Sequence, residues 1–417
     1  MHTLPVSVIL VSRARPQALA RCLLGLSQLD YPNFEVVVVA CPAGIAAAQQ
    51  VDQAEHLKRV AFDEANISAA RNAGITEAAG EIVAFIDDDA VPEPLWLHHL
   101  VAPFDQPEVA ASGGYVIGRN GISFQWKARM VDETGEATEI VLDGDAPTAP
   151  TADLGKAIKT EGTNMAVRRS VLAGIGGFDP GFRFYLDETD LNMRLAQAGK
   201  QTVIVPLAQV HHGFAESDRR HADRSPRDLT EIGASKMLFL RKHTPEKARK
   251  AAWEAFRKAQ RLRLLRLMQS GPFGADDVWR LMRGLDRGAK DGAQRPVGPL
   301  PPLAEAETAF RPFPGRPDAP RLAIAGRIWQ AGKLRAKAEI SVRKGAVTSL
   351  FLFSPTARFH RVAFSETGVW EQTGGLFGRS DRHTSFVRVT RFSRRLKEEI
   401  RRISQVRGNF TQQSHKN

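Results

Sequence analysis

Three short runs of the sequence are so apolar that they strongly restrict the fold. They read PVSVILVS from Pro5, FEVVVVA from Phe34 and EIVAFI from Glu81. Apolar runs without polar alternation are typical of strands buried on both faces of a parallel sheet. Segments with helical spacing, PQALARCLLGLSQ and NISAARNAGITEAA, stand between them. This alternation of strand and helix predicts a doubly wound α/β domain.

A cluster of carboxylates follows the third run. Ligands of such sheets bind beyond the carboxyl ends of the strands, where Ser12, Ala40 and Asp87 stand. Asp88 and Asp89 come directly after Asp87, although like charges repel and carboxylates resist leaving water. A hard cation between the carboxylates, with a phosphate on its far side, would offset that cost. The alternative is a turn with a solvated, charged tip.

A second acidic cluster, Asp187, Glu188 and Asp190, opens a predicted helix that continues as LNMRLAQAG. The cluster has a structural interpretation, because Asp190 can cap the helix and Glu188 can favour its dipole. A predicted strand, TVIVP, comes next, and His211 and His212 follow it closely.

Five blocks, taken in order, resemble the family 2 glycosyltransferases, which are inverting enzymes of the nucleotide-sugar (GT-A) fold. The blocks are VSVILVSRARPQALARCLLGL, ANISAARNAGITEAAGEIVAFIDDDAVP, GTNMAVRRSVLAGIGGFD, DETDLNMRL and VHH. They cover about the first 215 to 245 residues. The resemblance implies a GT-A doubly wound mixed sheet with helices on both faces.

The resemblance also implies a nucleotide and metal site. Asp87 and Asp89 match the family's Asp-x-Asp motif, which implies a bound Mg²⁺ or Mn²⁺ ion. A histidine after the last strand would add a ligand, and we favour His211 over His212. The implied donor-binding residues are Ser12, Arg71, Asp87, Asp88, Gly162, Thr163 and Asn164. Each of them also has an ordinary interpretation as a strand-end, helix-surface or turn residue.

The second acidic cluster would supply the catalytic base. The usual family pattern is Glu-Asp-x-Asp-Leu, whereas this chain has Asp187-Glu188-Thr189-Asp190-Leu191. We expect the second acid, Glu188, to take the proton from the acceptor hydroxyl, with Asp187 as the alternative base. Asp190 completes the predicted catalytic set. The swapped order leaves open which carboxylate is the base.

The nucleotide base of the donor is not fixed by the sequence. Many relatives end the second strand in an aspartate that reads uracil, but this chain has Ala40, Cys41 and Pro42 there. A UDP-sugar is therefore the default donor, and GDP- and dTDP-sugars stay open. Cys41 and Cys22 are the two cysteines of the chain, which is too few for a disulfide framework and fits a reducing compartment.

Charge divides the chain into two unlike halves. Residues 216–417 hold 42 Lys and Arg against 20 Asp and Glu, a balance of +22. The total of 58 basic and 46 acidic residues therefore leaves −10 for residues 1–215. A strongly basic half attracts anionic lipid, nucleic acid or an anionic substrate.

We divide the chain into four parts on composition and pattern. A GT-A domain over 1–243 precedes a basic amphipathic helical region over 244–290, which fits a membrane surface or packing on its own domain. A Pro-rich linker follows over 291–321. The basic region 322–417 is predicted as a small β-rich module with a charged helical tail that decays into disorder.

The leading hypothesis is a transferase that moves a sugar from a nucleotide-diphosphate donor to a glycan or lipid-linked acceptor, in cell-surface polysaccharide or glycolipid synthesis. No apolar run approaches a membrane span, and the N-terminal stretch fits a first strand better than a signal peptide. We therefore expect a cytoplasmic protein, peripheral on the inner face of the membrane, with no nucleic-acid partner. The alternative is a nucleic-acid or membrane binding protein with an inactive transferase-like domain. A nucleotidyltransferase ranks lower, because the stretch VSRARPQ lacks the glycine-rich signature of that enzyme class.

Overall fold

The computed structural model describes residues 3–213, 216, 218–381 and 385–412. The first strands are β1 (Val6–Ser12), β2 (Phe34–Ala40), β3 (Leu57–Ala61), β4 (Ile82–Asp87), β5 (Ala90–Pro92), β6 (Val109–Ile117), β7 (Phe124–Trp126), β8 (Arg129–Asp132), β9 (Ala137–Glu139), β10 (Lys156–Lys159), β11 (Met165–Arg168) and β12 (Gln201–His212). The helices among them are α1 (Pro16–Leu26), α2 (Pro42–Ala48), α3 (Ile67–Glu77), α4 (Trp96–Val101), α5 (Arg169–Gly174) and α6 (Asp187–Gln197).

A mixed sheet of nine strands organises this part of the described chain. Its order is β3-β2-β1-β4-β11-β6-β12-β5, and β7 pairs with β6. β1 runs parallel to β2 and β4, whereas β11 lies antiparallel between β4 and β6. The carboxyl ends of β1, β2 and β4 therefore meet at one edge. A separate three-stranded sheet has the order β10-β8-β9.

Helices cover both faces of the nine-stranded sheet. Every residue of β2 is buried, as its unbroken apolar sequence predicts. One core packs α1 and α4 on the sheet through residues such as Leu23 and Trp96. The other core packs α3 and α6 through residues such as Ile75 and Leu191. The predicted doubly wound mixed sheet is confirmed.

Three helices follow this domain: α7 (Thr230–His243), α8 (Glu246–Ser270) and α9 (Ala275–Gly292). α7 and α9 approach so closely that a Cβ atom at Gly288 would collide with the Thr230 carbonyl. The basic α8 packs on this pair through Phe256 and Leu264, as the second interpretation of region 244–290 expected. Among the described residues, no helix is both long and apolar enough to span a membrane.

The Pro-rich segment connects α9 to the last part of the chain and packs along the first domain on its way. Leu303 N donates to the Ala173 carbonyl at 3.0 Å, and Phe313 N donates to the Phe34 carbonyl at 2.8 Å. The Phe313 ring is buried in the core beside α1. The segment is thus held by backbone hydrogen bonds and by one aromatic anchor.

A second sheet, here named the C-terminal sheet, consists of β13 (Arg321–Arg327), β14 (Val347–Ser354), β15 (Arg361–Phe364), β16 (Val369–Gly375) and β17 (Thr411–Gln412). Its order is β15-β16-β14-β13-β17. Helix α10 (Ala331–Arg343) packs on one face and α11 (Phe392–Arg407) on the other. The predicted β module is present and is covered by helices on both sides. The end of the predicted tail, 413–417, lies outside the described residues.

Glu399 of α11 is a buried carboxylate that stabilises the C-terminal sheet. It accepts hydrogen bonds from Ser380 Oγ at 2.5 Å and Gln372 Nε2 at 2.9 Å, and it pairs with Arg395 and Arg402. Burial alone would raise the pKa of Glu399, but these partners outweigh it and lower the pKa to about 2. Such a depressed pKa adds stability above the unfolded pKa, and this stability is lost as the pH falls through about 2.

Replacing Glu399 with glutamine should therefore lower the free energy of unfolding at pH 7 by about 3 kcal/mol. The loss of stability between pH 4.5 and pH 2 should also become shallower than in the wild type, because one depressed carboxyl group no longer titrates. Urea unfolding at several pH values measures both effects. Glu366→Gln, at an exposed position of the same module, is the matched control. An unchanged acid limb in Glu399→Gln would contradict this role.

Candidate active site

A cleft of about 710 Å³ opens at the carboxyl ends of β1, β2 and β4. Residues that follow β1, the start of α3 and the start of α6 line it. This is the edge at which ligands bind in open α/β sheets. Most of the residues predicted from the sequence lie here: Ser12, Arg71, Asp87, Asp89, Gly162, Thr163, Asp187 and Glu188.

Two aspartates and a histidine form the group in this cleft that is suited to a cation. One ligand atom each from Asp87, Asp89 and His212 lies within 4.8 Å of the others. β5 begins directly after Asp89 and pairs antiparallel with β12, so that His212 lies opposite Ala90. His212 Nε2 lies 3.2 Å from Asp89 Oδ1. Two carboxylates and an imidazole suit Mn²⁺, and the carboxylates also suit Mg²⁺.

The geometry favours His212 as the histidine of this group, whereas the sequence analysis favoured His211. Successive side chains of a strand point to opposite faces, so only one of the two neighbouring histidines on β12 can face the cleft. His212 does so, whereas His211 Nε2 lies 2.7 Å from Glu93 Oε1. The His211 ring also packs against Trp370 of the C-terminal sheet, with the ring centroids 5.0 Å apart.

Asp88, the middle residue of the triplet, is fully buried and does not face the donor as predicted. It accepts a hydrogen bond from Ser12 Oγ at 2.7 Å and pairs with Arg15 at 2.5 Å. Burial raises the pKa of Asp88 to about 7, against the opposing influence of Arg15. The alternation along the chain explains the difference, because Asp87 and Asp89 point into the cleft and Asp88 points inward. Ser12 lines the cleft, but its hydroxyl is engaged by Asp88.

Arg71 joins the two acidic clusters across the cleft. It stands on α3, whose first turn is capped by the Asn66 side chain. The buried guanidinium forms an ion pair with Asp187, and its other terminal nitrogen lies 3.5 Å from Asp87 Oδ1. It also lies over the Phe178 ring, 5.0 Å from the centroid. The alternative of a helix-surface arginine therefore does not hold, because Arg71 is a buried cation fixed between two carboxylates.

The second acidic cluster opens α6, as predicted, and its residues Asp187 and Glu188 line the cleft. Tyr185 and Leu186, directly before the helix, adopt left-handed φ values of 73° and 65°. Side chains other than glycine rarely adopt this conformation, so the sharp turn that presents Asp187 and Glu188 stores strain. Glu188 Oε1 accepts a hydrogen bond from Lys159 Nζ of β10 at 2.9 Å.

The environments of Asp187 and Glu188 move their pKa values apart. Burial raises the pKa of Asp187, against the opposing charge of Arg71. Burial also acts on Glu188, but there Lys159 and Arg71 outweigh it and hold the pKa well below its ordinary value. Glu188 is therefore ionised at neutral pH. Paired carboxylates with diverging pKa values are typical of acid–base sites.

Asp190, which was predicted as part of the catalytic set, points away from the cleft. It lies two residues beyond Glu188, about 200° around the helix. Its carboxylate contacts His243 at 2.9 Å, Lys242 at 2.8 Å and Arg194 at 2.8 Å. These contacts outweigh burial and keep the pKa of Asp190 far below its ordinary value. Asp190 attaches α6 to α7.

The predicted donor loop is divided between cleft and core. Gly162 and Thr163 line the cleft, and the guanidinium of Arg71 lies where a Cβ of residue 162 would stand. Thr163 Oγ1 is buried without a hydrogen-bond partner among the described residues. Asn164 is fully buried; it accepts a hydrogen bond from Trp96 Nε1 and donates to the carbonyls of Tyr115 and Ala208. The side chain of Asn164, which was predicted to bind the donor, therefore holds the sheet together.

Sequence reasoning missed the cations that balance these acids. Lys159 and Arg129 come from β10 and β8, which carry no motif, and they meet Glu161 and Glu188 only in the folded chain. Arg15 lies in the stretch SRARPQ, for which the sequence analysis predicted no charged partner of the acidic triplet. Its place three residues after the end of β1 was the available signal.

The model of the family described as glycosyl transferase family 2 matches residues 7–176. The O-antigen biosynthesis protein RfbC of Myxococcus xanthus is 30% identical over 236 residues, which are 53% of this chain and 18% of that protein. The pre-mycofactocin glycosyltransferase of Mycobacterium tuberculosis is 30% identical over 149 residues, which are 35% of this chain and 29% of that protein. The chain thus spans less than a third of the length of either relative.

Among solved structures, the chain is similar to a mannosyltransferase from Pyrobaculum calidifontis in complex with GDP-Man and Mn²⁺. The identity is 17% and the TM-score 0.43, over 70% of this chain and 88% of that one. The segment that the family model matches contains most of β1, all of β4 and the Asp87–Asp89 triplet. Residues 7–176 of the chain are thus similar to glycosyl transferase family 2.

Proposed function

We propose that the chain is an inverting glycosyltransferase, which moves a sugar from a nucleotide-diphosphate donor to a hydroxyl acceptor in the synthesis of a cell-surface polysaccharide or glycolipid. One observation carries the proposal. The Asp87, Asp89 and His212 group and the Asp187 and Glu188 pair open into the same cleft, and Arg71 connects them. A cation site beside a carboxylate base is what such a transfer requires.

Asp87, Asp89 and His212 would hold Mg²⁺ or Mn²⁺, which when bound supplies positive charge to the diphosphate that leaves the sugar. Arg71 contributes fixed positive charge between the two acidic clusters. Gly162 and Thr163 place a backbone turn and a buried hydroxyl next to Arg71, where the donor sugar would lie. The residues at the ends of β1 and β2 form the wall nearest the nucleotide base.

On the acceptor side, Glu188 takes the proton of the acceptor hydroxyl. The acceptor oxygen forms its bond to the anomeric carbon while the bond from that carbon to the phosphate oxygen breaks. Attack from the face opposite the leaving group inverts the configuration of the sugar. Lys159 keeps Glu188 ionised and fixes its orientation, although the same contact lowers the basicity of the carboxylate. The nucleoside diphosphate leaves with the electron pair.

The acceptor class rests on similarity and charge. The relative from Myxococcus xanthus is named for O-antigen biosynthesis, which supports a glycan or lipid-linked acceptor. The exposed face of α8 carries basic residues such as Lys247, Lys250 and Arg261, which suit the anionic inner face of a membrane. We therefore propose a peripheral cytoplasmic enzyme that needs no nucleic-acid partner.

A thermal-shift panel tests the proposal. UDP-, GDP-, dTDP- and CMP-sugars are each added to the full chain with and without Mn²⁺. One nucleotide should raise the melting temperature, and the rise should require Mn²⁺, because a ligand that binds only the native state stabilises it. If no nucleotide acts and the protein instead binds RNA or anionic vesicles, the transferase is rejected in favour of a binding protein with an inactive domain.

A further inference from the structure

A buried polar cluster joins the nine-stranded sheet to the C-terminal sheet. Its centre is Glu93, whose carboxylate accepts two hydrogen bonds from Arg407, from Nε at 2.6 Å and from Nη2 at 2.8 Å. Arg407 also donates to Ser349 Oγ at 3.0 Å and lies 4.3 Å from the centroid of the Trp370 ring. His211 completes the cluster at 2.7 Å from Glu93.

The cluster is held together tightly. Glu93 and Arg407 are each 2% exposed, so both charges have left water and each depends on the other. Burial alone would raise the pKa of Glu93, but Arg407 and His211 outweigh it and lower that pKa to about 2. Loss of one partner would leave an unpaired charge inside the protein, which is strongly destabilising locally.

The position of the cluster links it to the candidate metal site. Glu93 directly follows β5, and β5 begins directly after Asp89. His211 directly precedes His212 on β12, and the two strands pair with His212 opposite Ala90 and His211 opposite Val91. The cluster thus holds the end of β5, which begins directly after Asp89, and it holds β12 through His211, which points to the opposite face of the strand from His212.

We propose that the C-terminal sheet positions the metal ligands of the first domain, with Arg407 acting through Glu93 and His211 on Asp89 and His212. The inference rests on the proposed function, since it assumes a cation at Asp87, Asp89 and His212. Arg407 is a positioning residue and touches no substrate. The C-terminal sheet is therefore part of the active enzyme, and its role exceeds that of an anchor or an acceptor domain.

Mn²⁺ binding to the full chain tests this inference without any nucleotide or acceptor. The free Mn²⁺ signal in electron paramagnetic resonance reports the dissociation constant. Arg407→Met keeps the length of the side chain but removes its charge, and we expect Mn²⁺ to bind about tenfold more weakly, as for other groups behind metal ligands. Arg407→Lys should recover part of the affinity.

A matched control distinguishes positioning of the metal ligands by Arg407 from a general effect of contact between the two sheets. Arg321 Nη2 of the C-terminal sheet pairs with the Asp30 carboxylate of the first domain at 2.5 Å, and this ion pair involves neither Glu93 nor His211. Asp30→Asn removes that ion pair and should leave the affinity for Mn²⁺ unchanged. If Arg407→Met does not fold, His211→Gln, which preserves the pair of Glu93 and Arg407, should also weaken Mn²⁺ binding.

The outcomes are distinguishable. Wild-type affinity in a folded Arg407→Met or His211→Gln protein would overturn the positioning role and leave the proposed function intact. Equal weakening by Asp30→Asn would also overturn it, because any loosening of the two sheets would then suffice. A wild-type protein that binds no Mn²⁺ would overturn the metal site itself, and with it the inference.

Discussion

Asp89→Ala should lower turnover with the donor identified in the panel by about a thousandfold, comparable to the loss of a strong electrostatic contact in the transition state. Asp89 contributes one of the three ligand atoms of the cation group and lies 3.2 Å from His212. Without it the cation would be held by two side chains, and the leaving diphosphate would lose the positive charge that stabilises it. The Mn²⁺-dependent thermal shift should disappear in the same variant.

Steady-state kinetics and the thermal shift together check this result. Asp143→Ala removes an exposed carboxylate outside the cleft and serves as the control. Circular dichroism of the variant without ligands establishes that the fold is retained. Turnover within a few fold of the wild type would mean that the acidic triplet is a turn and holds no catalytic cation.

Glu188→Gln should lower kcat by about a thousandfold, within the range for loss of a general base. The amide oxygen can still accept the hydrogen bond from Lys159, but the amide cannot take a proton from the acceptor. Binding of the donor should be preserved, because the proposed role of Glu188 is toward the acceptor hydroxyl and not the donor. The measurement is kcat under saturating donor, together with the nucleotide-induced thermal shift.

Two further variants identify the base. Glu136→Gln changes another acidic residue of the same cleft, which is exposed and pairs with Lys236, and it should retain wild-type turnover. Asp187→Asn removes the partner of Arg71 and should weaken donor binding as well as turnover. Should Glu188→Gln stay active while Asp187→Asn loses its turnover, Asp187 is the base and the assignment is reversed.

The sequence predicted the sheet and its functional edge because those features depend on local pattern. Unbroken apolar runs such as FEVVVVA have few alternatives to a buried parallel strand. The ends of those strands then locate the acidic triplet without knowledge of any side-chain contact. The Asp87–Asp89 motif and the acidic start of α6 were identified for the same reason, since each occupies one short stretch.

The local sequence pattern did not predict in which direction a side chain points or which distant residues it contacts. A one-residue shift on β12 exchanges His211 for His212, and the sequence does not show which of them faces the cleft. Asp88 and Asp190 carry the right chemistry, but they are engaged by Arg15 and by His243. These partners are remote in sequence or lack a motif, so only the tertiary structure reveals that the two acids face inward.

Glu93 and Arg407 lie 314 residues apart in the chain. At the usual rate of protein synthesis, roughly 15 to 60 seconds pass between the appearance of the glutamate on the ribosome and that of its arginine. From residue 212 onward the nine-stranded sheet has all of its strands, but the Glu93 carboxylate behind the candidate metal site has no guanidinium partner until Arg407 is made. We therefore expect nascent chains to keep Glu93 hydrated until α11 packs on the protein.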